Sequence, residues 1–257
     1  MLTVEHLQVS YGNTPVLKDI SFSLNPSQTL CILGPNGCGK TTLLHALCAL
    51  LPYKGTITYK GRSIATMKQK ELARAFALME QSNTSYFSYS VWDTVMMGRY
   101  QFMKKGLFLT TSKEDERVVE ECLLLTQLLD KKDTPIHTLS GGQLQRVFLA
   151  RTLAQDPEII LLDEPTNHLD LKFQVELLSY LKEWSEQKNR SVIGVFHDIN
   201  LARSFSQQFL FLKEGKQIGF GNFDEFVTGD FLEQVYDMNV VSYMRESYEK
   251  WKTVKDL

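Results

Sequence analysis

The chain has 257 residues, 43% of them hydrophobic, enough to bury a sizeable core in one compact domain carrying an inserted subdomain. Its 28 Lys and Arg against 30 Asp and Glu leave a net charge of -2, which argues against a dedicated nucleic-acid binder, whose footprint is strongly basic. No stretch approaches the ~20 apolar residues that span a bilayer, so any membrane role needs a partner to supply the membrane part.

The first third reads as β-rich. Thr3–Ser10, Val16–Leu24 and Gly55–Lys60 are alternating or β-branched runs, separated by turn residues such as Tyr11-Gly12-Asn13 and Asn25-Pro26. The continuous apolar run Leu30–Leu33 predicts a strand buried on both faces, followed by a glycine-rich loop and a helix over Thr41–Leu51. Ala75–Glu80 predicts another strand. From about Gln81 to Ala154 helical patterns dominate, notably Lys113–Asp130 with its leucine-rich face and Gly142–Ala154. Ile159–Leu162 and Val192–Phe196 then read as buried strands, with helical Leu171–Gln187 between them. Strand–helix–strand order implies a parallel sheet with right-handed crossovers. A hairpin around Glu214-Gly215 and a helix near Asp230–Tyr236 follow, and no internal repeat, low-complexity tract or heptad run is present. The cysteines Cys31, Cys38, Cys48 and Cys122 form no CxxC pair and read as reduced thiols of a cytosolic protein. The start shows no basic segment ahead of an apolar run, so no signal peptide is expected.

Three segments carry chemistry. Gly34, Pro35, Asn36, Gly37, Cys38, Gly39, Lys40 and Thr41 match GxxxxGK[ST] between a predicted strand and a predicted helix. Glycines let backbone N–H groups curl round phosphate, and the helix N-terminus adds partial positive charge. Lys40 can then reach the β- and γ-phosphates of ATP, the Thr41 hydroxyl can hold Mg2+, and Thr42 adjoins them among the nucleotide contacts. Next, Ile159–Leu162 deliver Asp163 and Glu164 to a strand's carboxyl end, where Asp163 suits the Mg2+ shell and Glu164 a general base for water. Acids also follow strands simply to cap helices, so this pair gains its meaning from the phosphate loop. Third, Leu139-Ser140-Gly141-Gly142-Gln143 precedes the acidic pair and reads locally as a helix N-terminus capped by Ser140.

That last segment resembles the LSGGQ signature of ABC transporter ATPases, and the resemblance covers nearly the whole chain in uninterrupted order. It implies an α/β P-loop NTPase of the ABC-ATPase fold, with a mostly parallel sheet core, an N-terminal antiparallel β subdomain and an inserted α-helical subdomain. Residues 1–81 and 156–257 would form the RecA-like core with the β subdomain, and 82–155 the helical signature subdomain. By the same resemblance Ser140, Gly141, Gly142 and Gln143 address the ATP held by a second copy, so two chains close head to tail on two nucleotides. Tyr11 resembles the aromatic that stacks on adenine, Gln81 the glutamine that touches Mg2+ and the attacking water, Asp170 the aspartate that crosses the dimer interface, and His197 the switch histidine at the γ-phosphate. Tyr11, Gln81 and His197 also have local readings: a turn tyrosine, a polar strand end, a structural histidine.

The chain departs from the family pattern at Cys38, where serine is usual and where a thiol would invite alkylation, at Glu80, where proline is common, and at Leu144. Within the family, Val95-Met-Met-Gly-Arg-Tyr100, Thr166-Asn-His-Leu-Asp170 and His197-Asp-Ile-Asn-Leu-Ala202 are similar to the ATPases of iron–siderophore, haem and vitamin B12 importers. Glu233–Val240 resembles their short C-terminal helix and strand, with no sizeable regulatory extension expected after it. The resemblance implies integral-membrane permease subunits as partners, a substrate-binding protein indirectly, no nucleic acid, and a peripheral place on the cytoplasmic face of the cell membrane. Tyr86, Phe87, Tyr89, Trp92 and Tyr100 fall where the family receives a permease helix, and they read equally as a small helical core. An exporter subunit stays open as the rival reading. A DNA-repair or chromosome ATPase is disfavoured by the lack of heptads, and a ribosome-associated protein by the single copy of each motif.

Overall fold

Strands β1 (Leu2–Tyr11) and β2 (Thr14–Leu24) pair antiparallel in the computed structural model, which describes residues 1–80, 89–103, 111–167, 169–187 and 189–252. Leu2, Val4, Leu7 and Val9 of β1 are all buried, although alternation would break between Val4 and Leu7. His6, with φ 51°, absorbs the extra residue as a bulge. The slip keeps both apolar pairs facing the core. Strand β4 (Lys54–Tyr59) joins the other edge of β1, and the short β5 (Arg62–Ser63) follows, giving the order β2-β1-β4-β5.

A second sheet is built from β3 (Thr29–Leu33), β6 (Phe76–Met79), β7 (Ile159–Asp163), β8 (Ser191–Val195), β9 (Gln208–Lys213) and β10 (Lys216–Asn222), in the order β10-β9-β3-β8-β7-β6. Neighbours from β9 to β6 are parallel, and β10 folds back antiparallel on β9. Every residue of β7 and β8 is buried, as their unbroken apolar runs require of strands covered on both faces. The helices are α1 (Lys40–Leu47), α2 (Gln69–Ala75), α3 (Val91–Met96), α4 (Lys113–Leu125), α5 (Gly141–Ala154), α6 (Leu171–Glu186), α7 (Ile199–Phe205), α8 (Phe223–Phe226), α9 (Gly229–Tyr236) and α10 (Val240–Trp251). One face of the parallel sheet packs on α1 and the antiparallel sheet, through Leu30, Ile32, Leu43, Leu47, Ile57 and Ile193. The opposite face is covered by α5, α6, α7 and α9, through Phe148, Leu177, Phe205 and Val235. A smaller core joins α3, α4 and α5 around Val95, Val119 and Val147.

Three elements depart from expectation. Helix α1 stops at Leu47 rather than Leu51, because Ala49 turns left-handed at φ 55° ahead of Pro52. Helix α4 ends at Leu125 rather than Asp130, where the Thr126 hydroxyl donates to the Cys122 carbonyl and Gln127 takes φ 57°. The C-terminal strand is replaced by a helix: Asp237 closes α9 in the left-handed region, and Asn239 caps α10 by accepting from the Ser242 amide. Among the described residues, no helix is long and apolar enough to cross a membrane.

Candidate active site

Three neighbouring strands of the parallel sheet, β3, β8 and β7, aim their carboxyl ends at one cleft of about 410 Å³. Gly37, Gly39, Lys40, Thr41, Thr42, Asn36, Val16, Glu164 and His197 line it. The loop from β3 into α1 is specified by close approach. At Gly34, φ 146°, a Cβ would stand 2.0 Å from the Leu212 carbonyl oxygen. At Gly39, φ 104°, the helix N-cap, it would stand 2.6 Å from Leu17 Cδ2. Only glycine fits the first of these, which is why the loop can wrap tightly between β9 and β2. Lys40 is buried, and its ammonium donates to the carbonyls of Gly34 at 2.9 Å and Pro35 at 3.0 Å.

The Thr41 hydroxyl donates to Asp163 Oδ2 at 2.7 Å, joining the start of α1 to the end of β7. Asp163 is 8% exposed, and its second oxygen, Oδ1, is buried with no hydrogen-bond partner. Burial raises its pKa, with Glu164 pushing the same way, while the Thr41 bond and the charges of His45 and Lys40 pull it down. A hydroxyl beside a carboxylate that keeps an unsatisfied buried oxygen is a hard-oxygen donor set, which fits Mg2+. Glu164 sits one residue further at φ 53°, a left-handed conformation uncommon for a side chain of its size. Its Oε1 lies 2.5 Å from His197 Nε2, and its Oε2 accepts from the Asn167 amide nitrogen at 2.5 Å. Two of the carboxylate's roughly four acceptor positions are thus occupied, which orients it and leaves others for water.

Ser140 caps α5 as the sequence suggests. Its hydroxyl accepts the Gln143 amide at 3.3 Å, and Gln143 Oε1 accepts the Ser140 amide at 3.1 Å. Ser140 and Gly141 are exposed, and none of Ser140, Gly141, Gly142 and Gln143 lines the cleft. Tyr11, at the end of β1, is 51% exposed and also lies outside the lining, where Val16 of β2 takes part instead. Asp170 caps α6, accepting the Phe173 amide through Oδ1, while its Oδ2 lies 3.3 Å from the Arg146 guanidinium. Pro35 and Cys38 belong to the loop without lining the cleft. Cys38 is 3% exposed and burial raises its thiol pKa, so the geometry protects it against the alkylation its position suggests. Gln81, Tyr86 and Phe87 lie outside the described residues.

Sequence reasoning missed two side chains around Glu164 and a third, Arg146, beside Asp170. Asn167 orients its carboxylate, a contact that the spacing of three residues across a tight turn could have suggested. Gln145 donates to the backbone carbonyls of Glu164 at 3.2 Å and Pro165 at 2.9 Å, so helix α5 grips the turn that bears the acid. Arg146 lies 3.8 Å over the Phe173 ring and binds Asp170.

A sequence profile of the ABC transporter family matches residues 17–167. The chain is similar to an uncharacterised ABC transporter ATP-binding protein of Bacillus subtilis, at 38% identity over 97% of this chain and 56% of that one. The chain thus spans little more than half the length of that relative. It is also 36% identical to a probable siderophore transport system ATP-binding protein of the same organism, over 93% of this chain and 86% of the other. Among solved structures, a putative metal-chelate type ABC transporter in an inward-facing conformation superposes with a TM-score of 0.79, at 30% identity over 93% of this chain and 89% of that one. A dimeric ATP-binding cassette in a post-hydrolysis state, bound to ADP and Pi, superposes with a TM-score of 0.77, at 28% identity over 88% of this chain and 100% of that one.

Proposed function

The chain belongs to the ABC transporter family, and from that premise we propose that it is the ATP-hydrolysing subunit that energises a separate membrane permease, with Lys40, Thr41, Asp163, Glu164 and His197 as its working residues. The observation that carries this reading is the convergence at one cleft of the phosphate loop, the Thr41–Asp163 bond and the Glu164–His197 pair. On ATP binding, Lys40 exchanges its two carbonyl partners for phosphate oxygens, while the loop's backbone N–H groups cradle the chain of phosphates. Thr41 and Asp163 would hold Mg2+, with Gln81 joining them, and the ion when bound neutralises charge on the phosphates. Glu164 accepts the proton of the attacking water. Asn167 and His197 fix the carboxylate's orientation, and His197 would contact the γ-phosphate.

The signature surface Ser140–Gln143 lies outside this cleft, which supports its use on the nucleotide of a second copy. Two chains, head to tail, then complete both sites, with Asp170 near the shared boundary and Tyr11 at the adenine. The helical unit within 82–155 carries the signature, and the exposed Tyr89 and Tyr100 offer a contact to the permease. The names of the siderophore and metal-chelate relatives support a siderophore or metal-chelate cargo, while import, the wider set of haem, cobalamin and related metal compounds, and a place on the cytoplasmic face of the membrane rest on the resemblance of the motifs.

Glu164→Gln tests the chemistry. The nearly isosteric amide should keep ATP affinity within about twofold and lower turnover by at least roughly 100-fold, accumulating an ATP-bound dimer on size-exclusion chromatography. Hydrolysis at the wild-type rate would remove Glu164 as the base. Recovery of a multi-spanning permease with the chain from detergent-solubilised membranes would support the transport role, and recovery of ribosomes or DNA instead would overturn it.

A further inference from the structure

The turn that carries Glu164 is held by a side chain of another element. Glu164 takes φ 53°, a left-handed backbone that a residue of its kind keeps only where the surroundings impose it. Pro165 follows and is buried, so its carbonyl needs a partner. Gln145 of α5 donates through Nε2 to that carbonyl at 2.9 Å and to the Glu164 carbonyl at 3.2 Å. The Glu164 carbonyl also accepts the Asn167 backbone amide at 3.2 Å, which fills both its lone pairs. Two carbonyl acceptors together fix which way the Gln145 amide faces.

Helix α5 has one anchored end and one exposed end. At its C-terminus Arg99 Nη1 donates to the Ala154 carbonyl, and Gln155 Nε2 donates to the carbonyls of Ala73 at 2.6 Å and Phe76 at 2.8 Å. At its N-terminus Ser140 and Gly141, the start of the signature surface, are exposed. Gln145 stands ten residues from Gln155 and five from Ser140, about 15 Å from the anchor along a helix that rises about 1.5 Å per residue. In a rigid helix a sideways displacement of about 1 Å at Ser140 becomes about 0.7 Å at Gln145. That would stretch the bond to Pro165 to about 3.6 Å, beyond hydrogen-bonding distance, unless the turn moves too. We propose that Gln145 is a positioning residue for hydrolysis, which holds the strained turn of Glu164 to the signature helix so that the acid is in place only when α5 is in place. The proposal rests on the reading of Glu164 as the base and of Ser140–Gln143 as the surface for a second copy's ATP. A chain's own acid thereby responds to the nucleotide its signature closes on.

The test uses the full chain. Gln145→Met keeps the length of the side chain and loses the donor, and should lower kcat roughly tenfold with the KM for ATP held within about twofold. Gln145→Glu, whose carboxylate only accepts, should lose at least as much, and it replaces the methionine variant if circular dichroism shows that one unfolded. Because Gln145 acts through Glu164, its loss should have no further effect once the base is gone. In single turnovers Gln145→Met combined with Glu164→Gln should match Glu164→Gln alone within about twofold. The double variant should also accumulate the ATP-bound dimer on size-exclusion chromatography to the same extent, since the signature surface is untouched. Wild-type kcat in the Gln145 variants overturns the proposal. A further roughly tenfold loss in the double variant, or its failure to dimerise, overturns it too, by placing the action of Gln145 away from the acid. Glu164→Gln alone separates the two readings: turnover at the wild-type rate there removes the base itself, whereas a slow Glu164→Gln beside an unimpaired Gln145→Met leaves the base standing and removes only the positioning role.

Discussion

Arg99 is the place where one substitution should do most damage to the helical unit without touching nucleotide. Its guanidinium is buried, donating from Nε to Asp115 Oδ1 at 2.9 Å and from Nη1 to the Ala154 carbonyl at 2.9 Å, with the Phe102 ring 3.9 Å away. It thereby ties the start of α4 to the end of α5, the helix whose other end is the signature. Arg99→Met keeps the apolar bulk and leaves Asp115 as a buried charge without its cation, which costs about 3–5 kcal/mol. The Ser112 hydroxyl and amide, at 2.7 and 3.0 Å from Asp115 Oδ2, still compensate part of that charge. The expected loss is therefore at the lower end, about 3 kcal/mol, or roughly 6–12 °C in the melting temperature of a chain this size. Urea unfolding at neutral pH reads the loss directly. A second arm uses pH. Burial pushes the Asp115 carboxyl up, but the Ser112 hydrogen bonds and Arg99 together outweigh it and hold the pKa below the usual aspartate range. A depressed folded-state pKa gives stability that is complete above the unfolded value of about 3.9 and is lost as pH falls through the folded one. The wild type should lose this increment in acid below about pH 4, and Arg99→Met should lose less of it, having less to lose. A destabilisation under about 1 kcal/mol at neutral pH would refute the argument that this pair holds the helices together.

Other consequences follow from single contacts. Asn167→Ala removes one charge-assisted bond from Glu164, so kcat should fall roughly tenfold with ATP affinity unchanged by filter binding. An equal kcat would mean that His197 alone orients the acid. Cys38 should react with a maleimide far more slowly at neutral pH than an exposed thiol, and the rate should rise on denaturation, as mass spectrometry would register. Rapid labelling of the native protein would contradict the buried loop. Gly34→Ala drives a methyl to within 2.0 Å of the Leu212 carbonyl, and should cost more than about 2 kcal/mol in thermal unfolding even without nucleotide, whereas an unchanged melting temperature would show that the loop can yield there.

What was legible in the sequence was what periodicity and short-range geometry encode. Ile159–Leu162 and Val192–Phe196 announced buried strands because apolar side chains on both faces leave no alternation to hide. The phosphate loop announced itself because its glycines answer to steric demands that no other residue meets. The contacts that organise Glu164 were less visible. Gln145 acts on backbone carbonyls about twenty positions away, and a side chain that donates to backbone leaves no complementary residue type to look for. The C-terminal difference is of another kind: Asn239 carries a helix-capping signal ahead of Val240, whereas the expected strand there follows from resemblance alone.

Three unfavourable features meet where the proposed chemistry lies. Asp163 keeps a buried oxygen without a partner, Glu164 takes a left-handed backbone, and Gly34 holds a loop against the carbonyl of Leu212. Each disfavours the folded state, so each needs surroundings that leave the chain no alternative. Strands β7 and β8 supply them, since every residue of both is buried between helices and the antiparallel sheet. Sliding β7 by one residue would exchange its faces and expel Ile160 and Leu162 from one core into the other. The register that fixes those apolar residues therefore also fixes Asp163 opposite Val195, and with it the approach of Glu164 to His197 two residues beyond. The pairing of acid and histidine is in this sense a consequence of packing. A core substitution such as Ile160→Ala should consequently disturb the site through strand register only if it also loosens β7 from β8, and not through any contact of its own.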